Sequence, residues 1–377
     1  MHQAAAPFAY TAGPHNAGLV VCAEAFGETE ERYGRPLVGQ SGRELFRCLG
    51  EAWEDERPLR AANTRQDGDW IRQRDDWLAS EGILLTNVFA FRPQGNNLGA
   101  LCASKGELPS SYALPQVRTE NPRFVRPEYL GELERLKEEL HVCSPNLILA
   151  LGGTACWATI ASAAIGSLRG AVAQSTLVPG LKVLPAYHPT AILRQWGWRP
   201  VLLADLLKAR RERQFAELVR PARGIIVSPS IEEVETWTEN TLRCAKLLAP
   251  DIETLNGQIR CIGFARSASE ALVVPFVRGL RGGSYWESES HELRAWHAVR
   301  QLLESPIPKV GQNFLFDLQY LSRMGIRPRA CQHDTMLLHH VLYPEMQKGL
   351  GFLGSVYTNE SSWKLLRKHG EELKRDE

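Results

Sequence analysis

The sequence has almost no net charge, no long apolar run and no closely spaced pair of cysteines. Its 44 lysines and arginines nearly balance its 43 acidic residues, so the net charge is +1. This balance excludes a protein that binds nucleic acid through a basic tail or a global positive field. Any such contact has to come from a local patch such as residues 208–213, which fits a solvated helix face equally well.

The missing hydrophobic and cysteine patterns exclude further classes of protein. No apolar run approaches the roughly 18 residues that span a bilayer, and residues 1–18 lack the charged start and apolar segment of a signal peptide. The eight cysteines form no CxxC pair, which argues against a disulfide framework or a zinc knuckle and favours buried thiols. We therefore expect a cytoplasmic protein that has no membrane partner.

Alternating strand and helix patterns indicate two α/β domains. The chain has 377 residues, of which 44% are hydrophobic, enough for two ordinary cores. Short apolar runs in the first part are typical of parallel strands that are covered on both faces. These runs lie at residues 19–22, 83–86, 146–151 and 182–185, and helices are predicted at 42–49, 129–140, 154–163 and 200–215.

A break at residues 214–223 separates the two parts. We predict a first domain at 1–213, a linker at 214–223 and a second domain at 224–377. Residues 94–127 are rich in Pro, Gly, Ser and Asn and are predicted as an ordered loop over the sheet edge. The second domain is predicted to have strands near 225–227, 247–253, 258–265 and 272–276 and helices at 230–242, 291–303 and 314–324.

Five segments of the first domain occur in the order of a known motif set. They are residues 20–39, 85–93, 150–154, 168–170 and 185–194. Together they resemble the uracil-DNA glycosylase superfamily, particularly the iron-sulfur members known as family 4. The resemblance implies a three-layer α/β/α domain with a parallel sheet. Such an enzyme takes a base out of the DNA stack, reads its edge in a pocket and cleaves the glycosidic bond.

The resemblance assigns roles to two polar residues in particular. Asn87 follows an apolar strand and would read the base, because one carboxamide offers both a donor and an acceptor. His188 would donate to the oxygen that gains charge as uracil leaves. Other interpretations stay open, since Asn87 could cap a turn and His188 could be a satisfied histidine in an Xaa-Pro turn.

The remaining site candidates lie in two loops. Gly27 and Gly39 belong to a glycine-containing loop whose backbone amides could approach the base and a phosphate. Leu193 and Arg194 occupy the position from which the family pushes a side chain into the duplex, although Arg194 could instead pair with a carboxylate.

Three departures from the family pattern bear on activity. Ala25 stands where several families place a water-activating Asp, which leaves this role to Glu24, Glu30 or the substrate itself. Leu37 stands where family 4 stacks a Phe on uracil, and losing an aromatic platform removes about 1–3 kcal/mol of stacking.

The iron-sulfur ligands of family 4 are also missing. No CxxC precedes the first motif, Phe91 occupies the Cys position before Arg92, and the later ligand position falls near Gly131. We therefore expect no iron-sulfur cluster. The insertion after Asn96 is similar to that of glycosylase-like domains found in bacteriophage proteins, sometimes at the front of DNA polymerases.

Three segments of the second domain, residues 249–254, 309–317 and 333–337, occur in the order of another known motif set. They resemble the 3′–5′ proofreading exonuclease of the DNA polymerase I family, the DEDD group, which implies an RNase H-like α/β fold. Carboxylates at i and i+2 on a strand project to one face, so Asp251 and Glu253 can share one metal ion, while Asp317 in a following helix can reach a second. Two Mg²⁺ ions roughly 3.5–4 Å apart would support phosphoryl transfer. Asp334 is predicted as a helix N-cap.

The third motif of this exonuclease group, Tyr-Xaa₃-Asp, does not follow Asp317. We therefore expect an incomplete exonuclease, either the front part of a longer or split polymerase, which we favour, or a fold kept without full activity. The sequence predicts a phage-type DNA-processing protein of the host cytoplasm, with single-stranded or uracil-containing DNA and a DNA polymerase domain or subunit as partners. The alternatives are a non-catalytic DNA-binding or polymerase-accessory module that probes bases, and a gene fragment.

Overall fold

The protein divides into two compact units in a computed structural model that describes residues 3–103, 116–118, 122–220, 222–279 and 283–360. The first unit comprises the described residues up to Leu218 together with those from Gly351 onward, and the second is Val219–Leu350. Among the residues that the structure describes, each helix is too short or too polar to span a lipid bilayer.

The first unit contains eight described strands. They are β1 (Leu19–Ala25), β2 (Ile83–Phe89), β3 (Cys102–Ala103), β4 (Gln116–Arg118), β5 (Pro122–Val125), β6 (Leu147–Leu151), β7 (Ala173–Gln174) and β8 (Lys182–Ala186). Its helices before the second unit are α1 (Glu28–Tyr33), α2 (Gln40–Trp53), α3 (Glu56–Ala62), α4 (Asp67–Glu81), α5 (Gly131–Cys143), α6 (Gly152–Ile160), α7 (Ile165–Leu168), α8 (Pro189–Arg194) and α9 (Arg199–Glu212).

The central sheet has the order β2-β1-β6-β8-β7, in which the first four strands are parallel and β7 runs antiparallel at one edge. Alternate residues of β1 enter two different cores. Leu19 and Val21 pack on the side of α2, α4 and α9, whereas Val20 and Cys22 pack on the side of α5 and α6. The predicted α/β architecture with a mostly parallel sheet is confirmed.

Two parts of the first unit differ from the sequence prediction. Helices α3 and α4 lie in a stretch where no element was expected, because α4 is mostly polar and is anchored by only a few buried residues such as Trp70 and Trp77. The insertion predicted as a loop contains β3, β4 and β5, which form an antiparallel sheet of order β3-β5-β4. Its residues 104–115 and 119–121 lie outside the described residues.

The second unit is built on the sheet β10-β11-β12-β9, in which β9 is parallel to β12 and the other pairs are antiparallel. The four predicted strands and three predicted helices are present. The elements are β9 (Gly224–Ile226), α10 (Ile231–Cys244), β10 (Ala249–Leu255), β11 (Gln258–Ala265), β12 (Glu270–Pro275), α11 (Glu289–Glu304), β13 (Lys309–Gly311), α12 (Phe314–Arg323), β14 (Cys331–Asp334) and α13 (Thr335–Leu342). Of these, β13, β14 and α13 are additional elements for which no range was predicted.

The last described segment returns to the first unit, whereas the sequence predicts residues 224–377 as one domain. From Gly351 onward, helix α14 (Leu350–Tyr357) and the residues after it up to 360 group with the first unit and pack on α9 and its surroundings. Arg169 donates from Nη1 to Ser355 Oγ at 2.8 Å, and Lys208 donates from Nζ to the Ser355 carbonyl at 2.5 Å. Because Lys208 is buried in these contacts, residues 208–213 do not form a uniformly solvated basic face.

Candidate functional site

The carboxyl ends of four parallel strands meet at one edge of the central sheet. Ala23 of β1 lies opposite Asn87 of β2, and Leu151 of β6 lies opposite Ala186 of β8. This register brings the residues just beyond these positions to the same edge, as in other open α/β sheets that bind ligands there. The edge therefore gathers Glu24, Asn87 and His188.

Asn87 has a buried amide without a hydrogen-bond partner. The residue is 3% exposed. In the part of the chain that the structure describes, neither its Oδ1 nor its Nδ2 has a partner. Leaving a buried polar group unpaired costs about 1–3 kcal/mol, so such an atom calls for an explanation. Asn87 lies inside β2 rather than in a turn, and its amide can offer one donor and one acceptor to a bound molecule.

His188 is the N-cap of α8, and its ring is oriented by the next turn. The backbone N–H of Thr190 donates to Nδ1 at 3.2 Å, and Thr190 Oγ1 lies 3.0 Å from the same atom. Burial and the nearby Arg194 charge lower the pKa of His188 to about 4. A neutral ring whose Nδ1 accepts a hydrogen bond keeps its proton on Nε2. His188 is therefore a neutral donor at neutral pH, and the Xaa-Pro turn satisfies only Nδ1.

Glu24 lies at the end of β1 and contacts the start of α6. Thr154 Oγ1 donates to Glu24 Oε2 at 2.7 Å. Burial raises the pKa of Glu24, while Thr154 and the Arg194 charge oppose this rise. A Cβ atom on Gly152, which has φ +85°, would lie 3.1 Å from His188 Cβ. Residues 152–154 thus pack against both Glu24 and His188, and the sequence did not reveal the contact of Thr154 with Glu24.

Glu30 bonds across the glycine-containing loop that runs from Gly27 to Gly39. Its Oε1 accepts a hydrogen bond from the Gly39 backbone N–H at 2.8 Å. A Cβ on Gly27 would lie 2.7 Å from Oε2, and one on Gly39 would lie 3.1 Å from Oε1. Both glycines therefore make room for this carboxylate. Glu30 is 7% exposed, and this contact leaves it less suited than Glu24 to activate water.

Leu37 and Ala25 are two positions at which the resemblance predicts a departure from functional side chains. Leu37 has φ +53° and its side chain belongs to the core on the side of α2 and α4. The guanidinium of Arg74 holds the carbonyl oxygens of Pro36 and Leu37 at 2.7 and 3.2 Å. Ala25 is partly buried opposite Phe89. An alanine side chain has no group that can take a proton from water.

The segment after His188 presents exposed side chains. Leu193 and Arg194 are exposed, and in the described residues Arg194 forms no ion pair. Trp196, which none of the predicted site motifs includes, is 61% exposed. Arg199 lies over its ring at 5.3 Å and is itself held by Glu51 at 2.9 Å. A large aromatic side chain that is exposed, and that a neighbouring side chain holds in place, suits stacking on a base. In the sequence, the only sign of this residue is the pair of tryptophans directly after the last motif.

The carboxylates of the second unit lie around β10. Asp251 and Glu253 are both exposed on one face of the strand. Asp317 lies in the first turn of α12, as predicted, and is 4% exposed. Its Oδ1 accepts a hydrogen bond from the Ile252 N–H at 2.8 Å. Burial together with Asp317 and Glu253 raises the pKa of Asp251 to about 6.

These carboxylates are of the chemical type that binds a divalent cation, but too few of them converge on one point. Carboxylate oxygens are the ligands that Mg²⁺ prefers, and burial, followed by the negative charges of Asp317 and Glu253, raises the pKa of Asp251. Within the described ranges, however, no three acidic, His or Cys side chains converge on one point. Asp334 caps α13 through Met336 and Leu337, so the prediction of an N-cap is confirmed.

Comparison with known proteins identifies both units. Residues 10–217 match the family model described as the uracil DNA glycosylase superfamily, more than half of the chain. The chain belongs to this superfamily. Residues 229–369 match the family model of a 3′-5′ exonuclease. The chain is also similar to the "Type-4 uracil-DNA glycosylase" of Thermotoga maritima, with 23% identity over 194 residues that cover 51% of this chain and 76% of the relative. Both matched families act on DNA.

The glycosylase unit does not fit an iron-sulfur cluster. Thiolates hold such clusters, but burial raises the pKa of Cys22 to about 12. In the described part of the chain no group of three metal-binding side chains is present. Phe91, for which the resemblance predicts a ligand position of family 4, stacks on Tyr129 with ring centroids 5.7 Å apart.

Proposed function

We propose that the first unit excises uracil from single-stranded or mismatched DNA. Asn87 reads the flipped base, because uracil offers a carbonyl acceptor and an N–H donor on one edge and the Asn87 amide offers their complements. The observation that carries the proposal is the unpaired amide of Asn87, buried at the sheet edge that also holds His188.

In the reaction, the bond between uracil and the deoxyribose carbon breaks and its electron pair leaves with uracil. Negative charge develops on a uracil oxygen, and His188 donates a hydrogen bond to it from Nε2. A neutral donor suits this role, because no proton has to be transferred and the field is fixed in advance. The sugar carbon becomes cationic and accepts a water molecule.

We propose that Glu24 takes the proton of that water. Its pKa is raised by burial, which makes a carboxylate a better base. Thr154 holds one oxygen of Glu24 by a hydrogen bond at 2.7 Å, so the carboxylate is oriented. Leu193, Arg194 and Trp196 would contact the DNA around the flipped nucleotide. The glycine-containing loop from Gly27 to Gly39 would approach the base and its phosphate.

The test is excision of uracil from labelled oligonucleotides, followed by alkali cleavage at abasic sites. Wild-type protein should give cleavage that Asn87→Ala and His188→Ala each reduce by about 100-fold or more. Asn146→Ala is a matched control, because Asn146 bonds the Arg213 carbonyl beside the amino end of β6. Equal inactivity of the wild type and both site variants would refute the enzymatic proposal.

A second candidate function is a non-catalytic DNA-binding or polymerase-accessory module. Ala25 favours it, because this residue cannot activate water, and the burial of Leu37 in the core removes it as a stacking platform. This candidate predicts preferential binding of uracil-containing DNA without the formation of abasic sites.

For the second unit, we propose a 3′–5′ exonuclease in which Asp251, Glu253 and Asp317 bind Mg²⁺. The metal would neutralise the developing charge of phosphoryl transfer. The sequence after Asp317 holds no Tyr followed by Asp four residues later, so we propose slow digestion by this chain alone. We further propose that the protein works as part of a phage-type DNA polymerase system. Added polymerase polypeptide should restore Mg²⁺-dependent digestion, and Asp317→Ala should abolish it.

A further inference from the structure

A buried ionic network lies behind the strand that carries Asn87. Arg135 of α5 donates from Nε to Glu132 at 3.0 Å and from Nη1 to Glu139 at 2.6 Å. All three residues are at most 4% exposed. Burying an arginine and two carboxylates is costly unless the charges are paired and hydrogen-bonded. The pairing meets this condition and leaves Nη2 of Arg135 free to face β2.

The network bonds β2 on both sides of Asn87, through backbone groups at Asn87 and after it and through a side chain before it. Arg135 Nη2 donates to the carbonyl oxygen of Asn87 at 2.6 Å and to that of Val88 at 3.0 Å. Its two acidic partners hold the flanking positions. Glu139 accepts from Thr86 Oγ1 at 2.7 Å, and Glu132 accepts from the Ala90 N–H at 3.0 Å. One set of charges therefore holds three consecutive positions of β2 and Ala90, the residue that follows the strand.

This contact has a direct consequence for the side chain of Asn87. Its amide has no hydrogen-bond partner of its own in the described chain, so the backbone sets the direction in which the amide points. A misplacement of about 1 Å at a reacting site can cost about 100-fold in rate. The guanidinium is a planar fork that can bond two carbonyls and two carboxylates at once, which a lysine ammonium cannot do.

We propose that Arg135 is a positioning residue that sets the base-reading geometry of Asn87. The inference rests on the proposed uracil excision and deepens it, because it assigns the recognition geometry to a residue that does not touch the substrate. Glu132 and Glu139 act in the same unit by fixing the guanidinium.

The test compares Arg135→Lys with Arg213→Lys. Arg213 also bonds a backbone carbonyl near β2. Its Nη2 donates at 2.5 Å to the carbonyl oxygen of Glu81, which lies just before the amino end of the strand. Both changes keep the positive charge and remove a guanidinium fork. We expect Arg135→Lys to lower kcat/KM on uracil-containing oligonucleotides about 100-fold. Arg213→Lys should stay within about threefold of the wild type at a temperature where both variants are folded.

A double-mutant cycle separates positioning from loss of stability. In the Asn87→Ala background, Arg135→Lys should cost less than about threefold, because the amide that it positions is gone. A loss of about 100-fold in both backgrounds would overturn the inference, as would equal effects of Arg135→Lys and Arg213→Lys. If wild-type protein binds uracil-containing DNA without excising it, the same variants are compared by the ratio of affinities for uracil- and thymine-containing oligonucleotides. Wild-type protein that shows neither excision nor preference would overturn the proposed function and, with it, this inference.

Discussion

The low pKa of His188 predicts an unusual dependence of excision on pH. Histidine normally titrates near 6.5, but burial and the Arg194 charge lower the pKa of His188 to about 4. The ring therefore stays neutral throughout the range in which an ordinary histidine gains its charge. If neutral His188 is the donor to uracil, the excision rate should not fall between pH 7.5 and 6 through titration of this ring.

The same shift affects stability. Above about pH 6.5 the ring is neutral in the folded and unfolded states, and His188 makes the protein neither more nor less stable through protonation. As the pH falls from 6.5 toward 4, the unfolded chain takes up a proton that the folded protein does not bind. The free energy of unfolding therefore decreases over this window, by about 3 kcal/mol in all for a pKa of 4 against 6.5.

Two measurements check these expectations. Excision should be followed from pH 4.5 to 8 in wild-type protein and in Glu24→Gln, because the raised pKa of Glu24 gives its own acid limb. Urea unfolding of wild-type protein and His188→Gln should differ in pH dependence only below about 6.5. Long-range ¹H–¹⁵N NMR of labelled histidine should show the proton on Nε2 at pH 6. A titration of His188 near 6.5, or a proton on Nδ1, would refute this reasoning.

Further predictions concern other parts of the two units. Gly152→Ala should lower the excision rate, because the new Cβ would press on His188 in a backbone conformation with φ +85°. Gly180→Ala is the control and should leave the rate unchanged, because the space around Gly180 is open. Equal excision rates of the two variants would contradict this prediction. Trp196→Ala should weaken binding of uracil-containing DNA by about 1–3 kcal/mol, measured by fluorescence anisotropy, and Trp196→Phe should retain most of the affinity. Anaerobically purified protein should contain no stoichiometric iron, and one iron-sulfur cluster per chain would overturn the assignment of Phe91.

Much of the fold could be predicted because parallel strands that are buried on both faces are nearly continuous apolar runs. The strands β1, β2, β6 and β8 were all detected in this way. Their common polarity then placed Asn87 and His188 at one edge of the sheet. Helix α4 was missed because its polar residues outnumber the few that anchor it, and two of those anchors, Trp70 and Trp77, stand seven residues apart.

The contacts that orient the site could not be predicted, because they join residues that are distant in sequence. Arg135 reaches the carbonyl of Asn87 across 48 positions, and Thr154 reaches Glu24 across 130. Neither residue type marks such a role, since most arginines and threonines are exposed. The packing of residues 351–360 on the first unit was hidden for the same reason.

The most direct test of the account is single-turnover excision of uracil from a single-stranded oligonucleotide by wild-type protein, Asn87→Ala and Asn146→Ala. Excess protein should convert the uracil site of the oligonucleotide into an abasic site with the wild type and Asn146→Ala, and about 100-fold more slowly or not at all with Asn87→Ala. Excision that is unchanged by Asn87→Ala would contradict the central claim that the buried, unpaired amide of Asn87 reads the base.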